Sequence, residues 1–165
     1  LGAGNKTSED IEMSDLSSVN EILDFAINEE QNAADFYKSL ATRLDKPAMQ
    51  SIFEGFAKEE MGHKAKLEAV KSGQKLAPAA AKVADLKIGD YLVDVDSEDT
   101  GQLDYQKALI IAMKKEKVAF RLYNDLASKT DDAEVKDLLL GLAQEEAKHK
   151  LRFEIEYDEY VLAEN

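Results

Sequence analysis

Glu60-Met61-Gly62-His63 and Glu146-Ala147-Lys148-His149 carry the only two histidines of the chain, and each histidine follows a glutamate by three residues. The second stretch lies 86 residues after the first. Thirty residues before each Glu-x-x-His glutamate stands another glutamate, Glu30 and Glu116, and seven residues after each of those stands a tyrosine, Tyr37 and Tyr123. Both of these pairs are again 86 residues apart. Eighteen of the 165 residues are glutamate, so two histidines matching this spacing by chance is about a one-in-eighty event. One structural unit is written twice, and its polar residues converge on one site.

The hydrophobic pattern around these residues is helical. Ser18-Val19-Asn20-Glu21 reads as a capping box opening a helix that runs to about Asp45, with Ile22, Leu23, Ala26, Ala33, Ala34, Tyr37 and Leu40 on one face. Pro47 suits the first turn of a second helix, carried by Phe53, Phe56 and Leu67 and stopped at Gly73. A third helix begins near Asp104, with Leu109, Met113, Phe120 and Leu126 on its face. Asp131 and Glu134 offer a capping box for a fourth, which carries Val135, Leu139, Leu142 and Phe153 and reaches as far as Tyr160. The expected architecture is all-α: a four-helix bundle of two antiparallel hairpins, residues 18–165, preceded by a flexible segment over 1–17. The crossover between hairpins, about residues 73–103, is long enough to run the length of a bundle and make helices 2 and 3 parallel.

In an antiparallel hairpin, residues equidistant from the turn lie side by side. Glu30 and Glu60 flank Asp45 symmetrically, and Glu116 and Glu146 flank Asp131 in the same way. Each pair therefore sits level on facing helices, about 20 Å from its turn at 1.5 Å per residue. All four glutamates and both histidines fall inside the apolar stripes. Burying four unpaired carboxylates would be strongly unfavourable, whereas two divalent cations neutralise them and take one imidazole each. Glu29, Glu59 and Glu145 lie about 100° off the stripe and read as a solvated flank. Tyr37 and Tyr123 read either as core aromatics or as hydrogen-bond donors to the glutamates. The sulfur-free, carboxylate-rich set favours iron or manganese, and zinc also fits the donor atoms.

Composition narrows the function classes. The 44% hydrophobic and 33% charged content, with only two prolines, suits long amphipathic helices. A net charge of −13 argues against nucleic acid and anionic membranes as partners. No apolar run is long enough for a membrane span, and the first ten residues lack the apolar centre of a signal peptide, so the cytoplasm is the expected location. The absence of cysteine removes disulfides, zinc–thiolate sites and iron–sulfur clusters.

A glutamate from each of two helices with Glu-x-x-His from each of the others resembles the ferritin-like di-iron carboxylate proteins. Within them the likeness is to the rubrerythrins. Glu30-Gln-Asn-Ala-Ala-Asp-Phe-Tyr37 is similar to their first-helix motif, and Glu60-Met-Gly-His63 and Glu146-Ala-Lys-His149 to their ligand pairs. The resemblance spans roughly residues 18 to 160. It implies two iron ions held by Glu30, Glu60, His63, Glu116, Glu146 and His149, with Glu60 and Glu146 bridging and Tyr37 and Tyr123 donating to the glutamates. It also implies an oxidoreductase that reduces hydrogen peroxide. The chain departs from the family in two respects. It has no cysteines for a rubredoxin-like domain, so electrons would come from a separate donor such as a rubredoxin-like protein. Ala119 stands where the family carries a further glutamate.

Two other readings stand beside the peroxidase. One is a ferroxidase or iron-binding protein; the residues after the bundle are too few for the fifth helix of a storage cage, which weighs against storage. The other is a bundle with a vestigial metal site. A homodimer is expected, swapped or unswapped, because the crossover is long enough for hairpins to exchange between chains.

Overall fold

A computed structural model describes residues 18–73 and 103–164; the N-terminal segment and nearly all of the crossover inferred above lie outside the described residues. Four helices account for almost all of these: α1 (Val19–Thr42), α2 (Pro47–Lys71), α3 (Tyr105–Ser128) and α4 (Ala133–Glu164). The chain is the all-α four-helix bundle that its periodicity predicts. α1 pairs with α2 and α3 with α4, and the two hairpins meet along α1–α3 and α2–α4.

Side-chain chemistry sets the helix starts. Ser18, extended at φ −133°, accepts the Glu21 N–H at 3.2 Å, the first half of the expected capping box. Asp104 accepts the Gln106 N–H at 2.8 Å and opens α3. At α4 the cap falls one residue later than expected. Asp132, not Asp131, accepts the Val135 N–H at 3.0 Å, because Thr130 Oγ1 holds the Asp132 N–H at 3.1 Å and turns the chain there. α1 also stops earlier than its pattern suggests, at Thr42 rather than near Asp45. Pro47 forces Lys46 into an extended conformation, φ −95° and ψ 125°, so the helix must unwind before it. Gly73, at φ +83°, ends α2 in the left-handed region that a side chain disfavours. α4 continues past Tyr160 to Glu164.

The core divides into two apolar blocks. One gathers Leu40, Phe53, Phe56, Leu109, Met113 and Phe153 with Tyr37. The other gathers Ile22, Leu23, Leu67, Leu126, Leu139 and Leu142 with Tyr123. The second block takes the start of α1, the end of α2, the end of α3 and the start of α4. Helices 2 and 3 therefore run parallel, as the sequence predicts. Between the blocks, at one level of the bundle, each helix contributes polar side chains. Among the described residues, no helix is long and apolar enough to cross a membrane.

Candidate metal centre

Glu30, Glu60, His63, Glu116, Glu146 and His149 all lie in that intermediate layer and all are buried, none more than 5% exposed. They are three and four residues from the apolar positions of their own helices, so the turn of the helix that packs the core also turns these groups inward. Their oxygen and nitrogen atoms form two groups able to hold a metal ion, with ligand atoms within 4.8 Å of one another. One group is Glu30, Glu60, His63 and Glu146; the other is Glu60, Glu116, Glu146 and His149. Glu60 and Glu146 belong to both.

The contacts follow the twofold repeat of the sequence. His63 Nδ1 on α2 lies 3.0 Å from Glu146 Oε1 on α4, and His149 Nδ1 on α4 lies 2.9 Å from Glu60 Oε1 on α2. The two rings are nearly parallel, 5.4 Å apart. Across the other pair of helices, the Tyr37 hydroxyl donates to Glu116 Oε1 at 2.5 Å and the Tyr123 hydroxyl donates to Glu30 Oε1 in a short bond. Each tyrosine thus closes the polar layer from one apolar block while binding a carboxylate on the facing helix.

Several buried atoms in this layer have no hydrogen-bond partner: Oε2 of Glu30, Glu116 and Glu146, Oε1 of Glu60 and Nδ1 of His149. The last two lie 2.9 Å apart. Protein interiors seldom leave so many polar atoms unsatisfied together. All of them belong to the six residues, and their lone pairs converge where cations would satisfy them. The donor set fits a pair of divalent ions.

Ionisation is consistent with that reading. Burial, reinforced by the Glu146 charge, pushes the Glu60 carboxyl up to about 12. Glu116 is driven well above the usual carboxylate range for the same two reasons. Glu146 moves the other way: burial opposes its charge, but hydrogen bonds with Glu116, His149 and His63 prevail and hold it low. For His63, burial disfavours the imidazolium, yet Glu146 and Glu30 carry its value up to about 9. His149 rises far above its ordinary value by the same contest, with Glu116, Glu146, Glu59 and Glu60 favouring its charged form over the opposing burial. Protons shared among these groups balance the cluster, and they are the protons an entering cation displaces. Tyr37 and Tyr123 stay neutral, their hydroxyls pushed well up by burial and then by Glu116 and Glu30 respectively.

The model of the rubrerythrin family matches residues 21–157. The chain belongs to the rubrerythrin family. A solved structure described as a hypothetical protein from Pyrococcus furiosus is 30% identical, with a TM-score of 0.61, over 89% of this chain and 92% of that one. No curated protein matches the chain. The rubrerythrin motifs fall on the buried layer, including both Glu-x-x-His stretches and the Glu30–Tyr37 segment. Ala119, where the family carries its further glutamate, is one turn beyond Glu116 on α3 and offers no oxygen to either group.

Glu59 lies on the exposed flank, as expected, and outside both groups, but it makes a contact that its own helix does not suggest. Glu59 Oε2 lies 3.0 Å from His149 Nε2, and both Glu59 oxygens accept from Arg152. The helical wheel of α2 alone conceals this, because the partner is on α4. Lys150 is more deeply placed than its type suggests: it is fully buried and paired with Glu154.

Proposed function

We propose that this rubrerythrin-family chain is a di-iron redox protein that reduces hydrogen peroxide with electrons from a separate donor. The observation that carries the reading is the division of six buried residues into two four-residue groups sharing Glu60 and Glu146. On this reading Glu30 and His63 would hold one ion, Glu116 and His149 the other, and Glu60 and Glu146, which belong to both groups, would serve both. Oxygen and imidazole donors suit iron and manganese, and accept zinc in their place.

Two ferrous ions held here would supply one electron each to hydrogen peroxide, which takes up two protons and leaves as two waters. The chain's own residues prepare that exchange. Tyr37 and Tyr123 bind Oε1 of Glu116 and Glu30 respectively, which leaves the unpartnered Oε2 atoms free to ligate. Each imidazole directs Nδ1 inward, so a neutral ring must carry its proton on Nε2. The apolar blocks above and below exclude bulk water from the layer. The two replacement electrons would come from outside this bundle, which carries no cysteine, with a rubredoxin-like donor the fitting class.

Ala119 favours a second reading, iron oxidation without peroxidase activity, since no further carboxylate from α3 reaches the groups. Stopped-flow mixing of the diferrous protein with peroxide and with dioxygen separates the two. The peroxidase reading expects faster oxidation by peroxide; oxidation by dioxygen at an equal or greater rate replaces it with the ferroxidase reading.

A further inference from the structure

The two halves of the centre differ just outside the six residues. His149 is engaged at both ring nitrogens, Nδ1 by the buried carboxylates and Nε2 by Glu59 at 3.0 Å. Arg152 grips both oxygens of Glu59 at 2.8 and 3.0 Å and lies over the Phe56 ring, 4.3 Å from its centroid. Phe56 in turn packs at 88° to the His149 ring, 5.0 Å away. Glu59 and Phe56 on α2 and His149 and Arg152 on α4 therefore form a closed ring of contacts.

Shifted by 86 residues, that ring does not recur. Glu59, Phe56 and Gly62 become Glu145, Leu142 and Lys148, and Arg152 answers to Lys66. Glu145 pairs at 3.4 Å with Lys148 on its own helix. Among the described residues, the carboxylates near His63 all face its Nδ1. Lys148 thus occupies the carboxylate in one half, and Gly62 leaves it available in the other. An exposed Glu59–Arg152 pair alone would contribute little. Its contact with His149, a ring only 4% exposed, is what gives the pair a role.

We propose that Glu59, steadied by Arg152, is a positioning residue that makes the two metal positions unequal, the one at His149 binding more tightly. It accepts the Nε2 proton of His149, which keeps Nδ1 as the inward lone-pair donor, fixes the ring and raises its basicity. The inference rests on the dinuclear reading above.

The test is an anaerobic titration of the metal-free protein with cobalt(II), followed by its ligand-field absorption. Wild type is expected to bind two ions in two resolved steps, His149→Ala removing the tighter and His63→Ala the weaker. Glu59→Ala should weaken the tighter step roughly 10- to 100-fold, with Glu59→Gln restoring much of it through its amide oxygen. Glu145→Ala should leave both steps in place. Gly62→Lys should mimic Glu59→Ala; a Cβ at Gly62 meets no heavy atom within 4 Å, so a side chain can leave the backbone there without a clash. Circular dichroism checks that each variant is folded. Two-ion binding untouched by Glu59→Ala, or weakened equally by Glu145→Ala, overturns this inference alone. A wild type that binds no cobalt overturns the metal-centre reading and this inference with it.

Discussion

Tyr123 and Tyr37 are the residues whose single atoms matter most for the buried layer. Replacing Tyr123 by phenylalanine strips Glu30 Oε1 of its donor in a site that water does not reach. The metal-free protein should lose about 1–3 kcal/mol, read from urea unfolding, and Tyr37→Phe should behave alike through Glu116. A loss no larger than that of Tyr157→Phe, whose hydroxyl bonds Gln106 at the surface, would show that the hydroxyls do not support the carboxylates. Titration of the layer gives a second prediction. His63 is raised from 6.5 to about 9, so its stabilisation is complete below pH 6.5 and disappears as pH rises through 9. Glu60 is raised from 4.5 to about 12, so the fold holds a proton that the unfolded chain releases above 4.5, which also lowers stability as pH rises. Metal binding expels these protons and gains affinity in the same direction. From pH 6.5 to 9 the melting temperature of the metal-free protein should fall, and the gap to the metal-loaded protein should widen. A gap constant across that window would contradict the account. The six candidate ligands were legible because a polar residue inside an apolar stripe cannot avoid burial. Glu59 was not, because a glutamate at the flank of one helix reaches a neighbour that a single-helix reading omits.

Helices show the same division between what local chemistry dictates and what packing decides. Starts were legible wherever a serine or aspartate side chain could accept an N–H from the first turn, and Ser18 and Asp104 do so. α4 is instructive because Asp131 and Asp132 are equivalent candidates by type, and only the Thr130 side chain selects between them. Asp132→Ala should therefore destabilise the protein by about 0.5–2 kcal/mol, while Asp131→Ala should change it by less than about 0.5 kcal/mol. Thermal unfolding of the two variants decides the matter, and the reverse order would return the cap to Asp131. The end of α1 was misjudged because apolar spacing continues to Leu44, which is buried, although the backbone has already left the helix to enter Pro47. No glycine or proline follows Tyr160 to stop α4, so its last turn was open in the sequence.

At the scale of the whole molecule, the 86-residue interval and the two symmetric turns are enough to place four carboxylates at one level. The bundle adds the two apolar blocks on either side and the exchange of partners between hairpins, which depend on how α2 meets α4 and α1 meets α3. Each helix supplies a carboxylate to the layer, so cations there tie all four helices together. Metal at 100 times its dissociation constant should stabilise the fold by about 2.7 kcal/mol, lost again on chelation. The most direct test of the account is anomalous diffraction from crystals of the iron-loaded protein. Two iron peaks per chain are predicted in the buried layer, one beside Nδ1 of His63 and one beside Nδ1 of His149, with Glu60 and Glu146 reaching both. A single peak there, none, or iron bound elsewhere would contradict it.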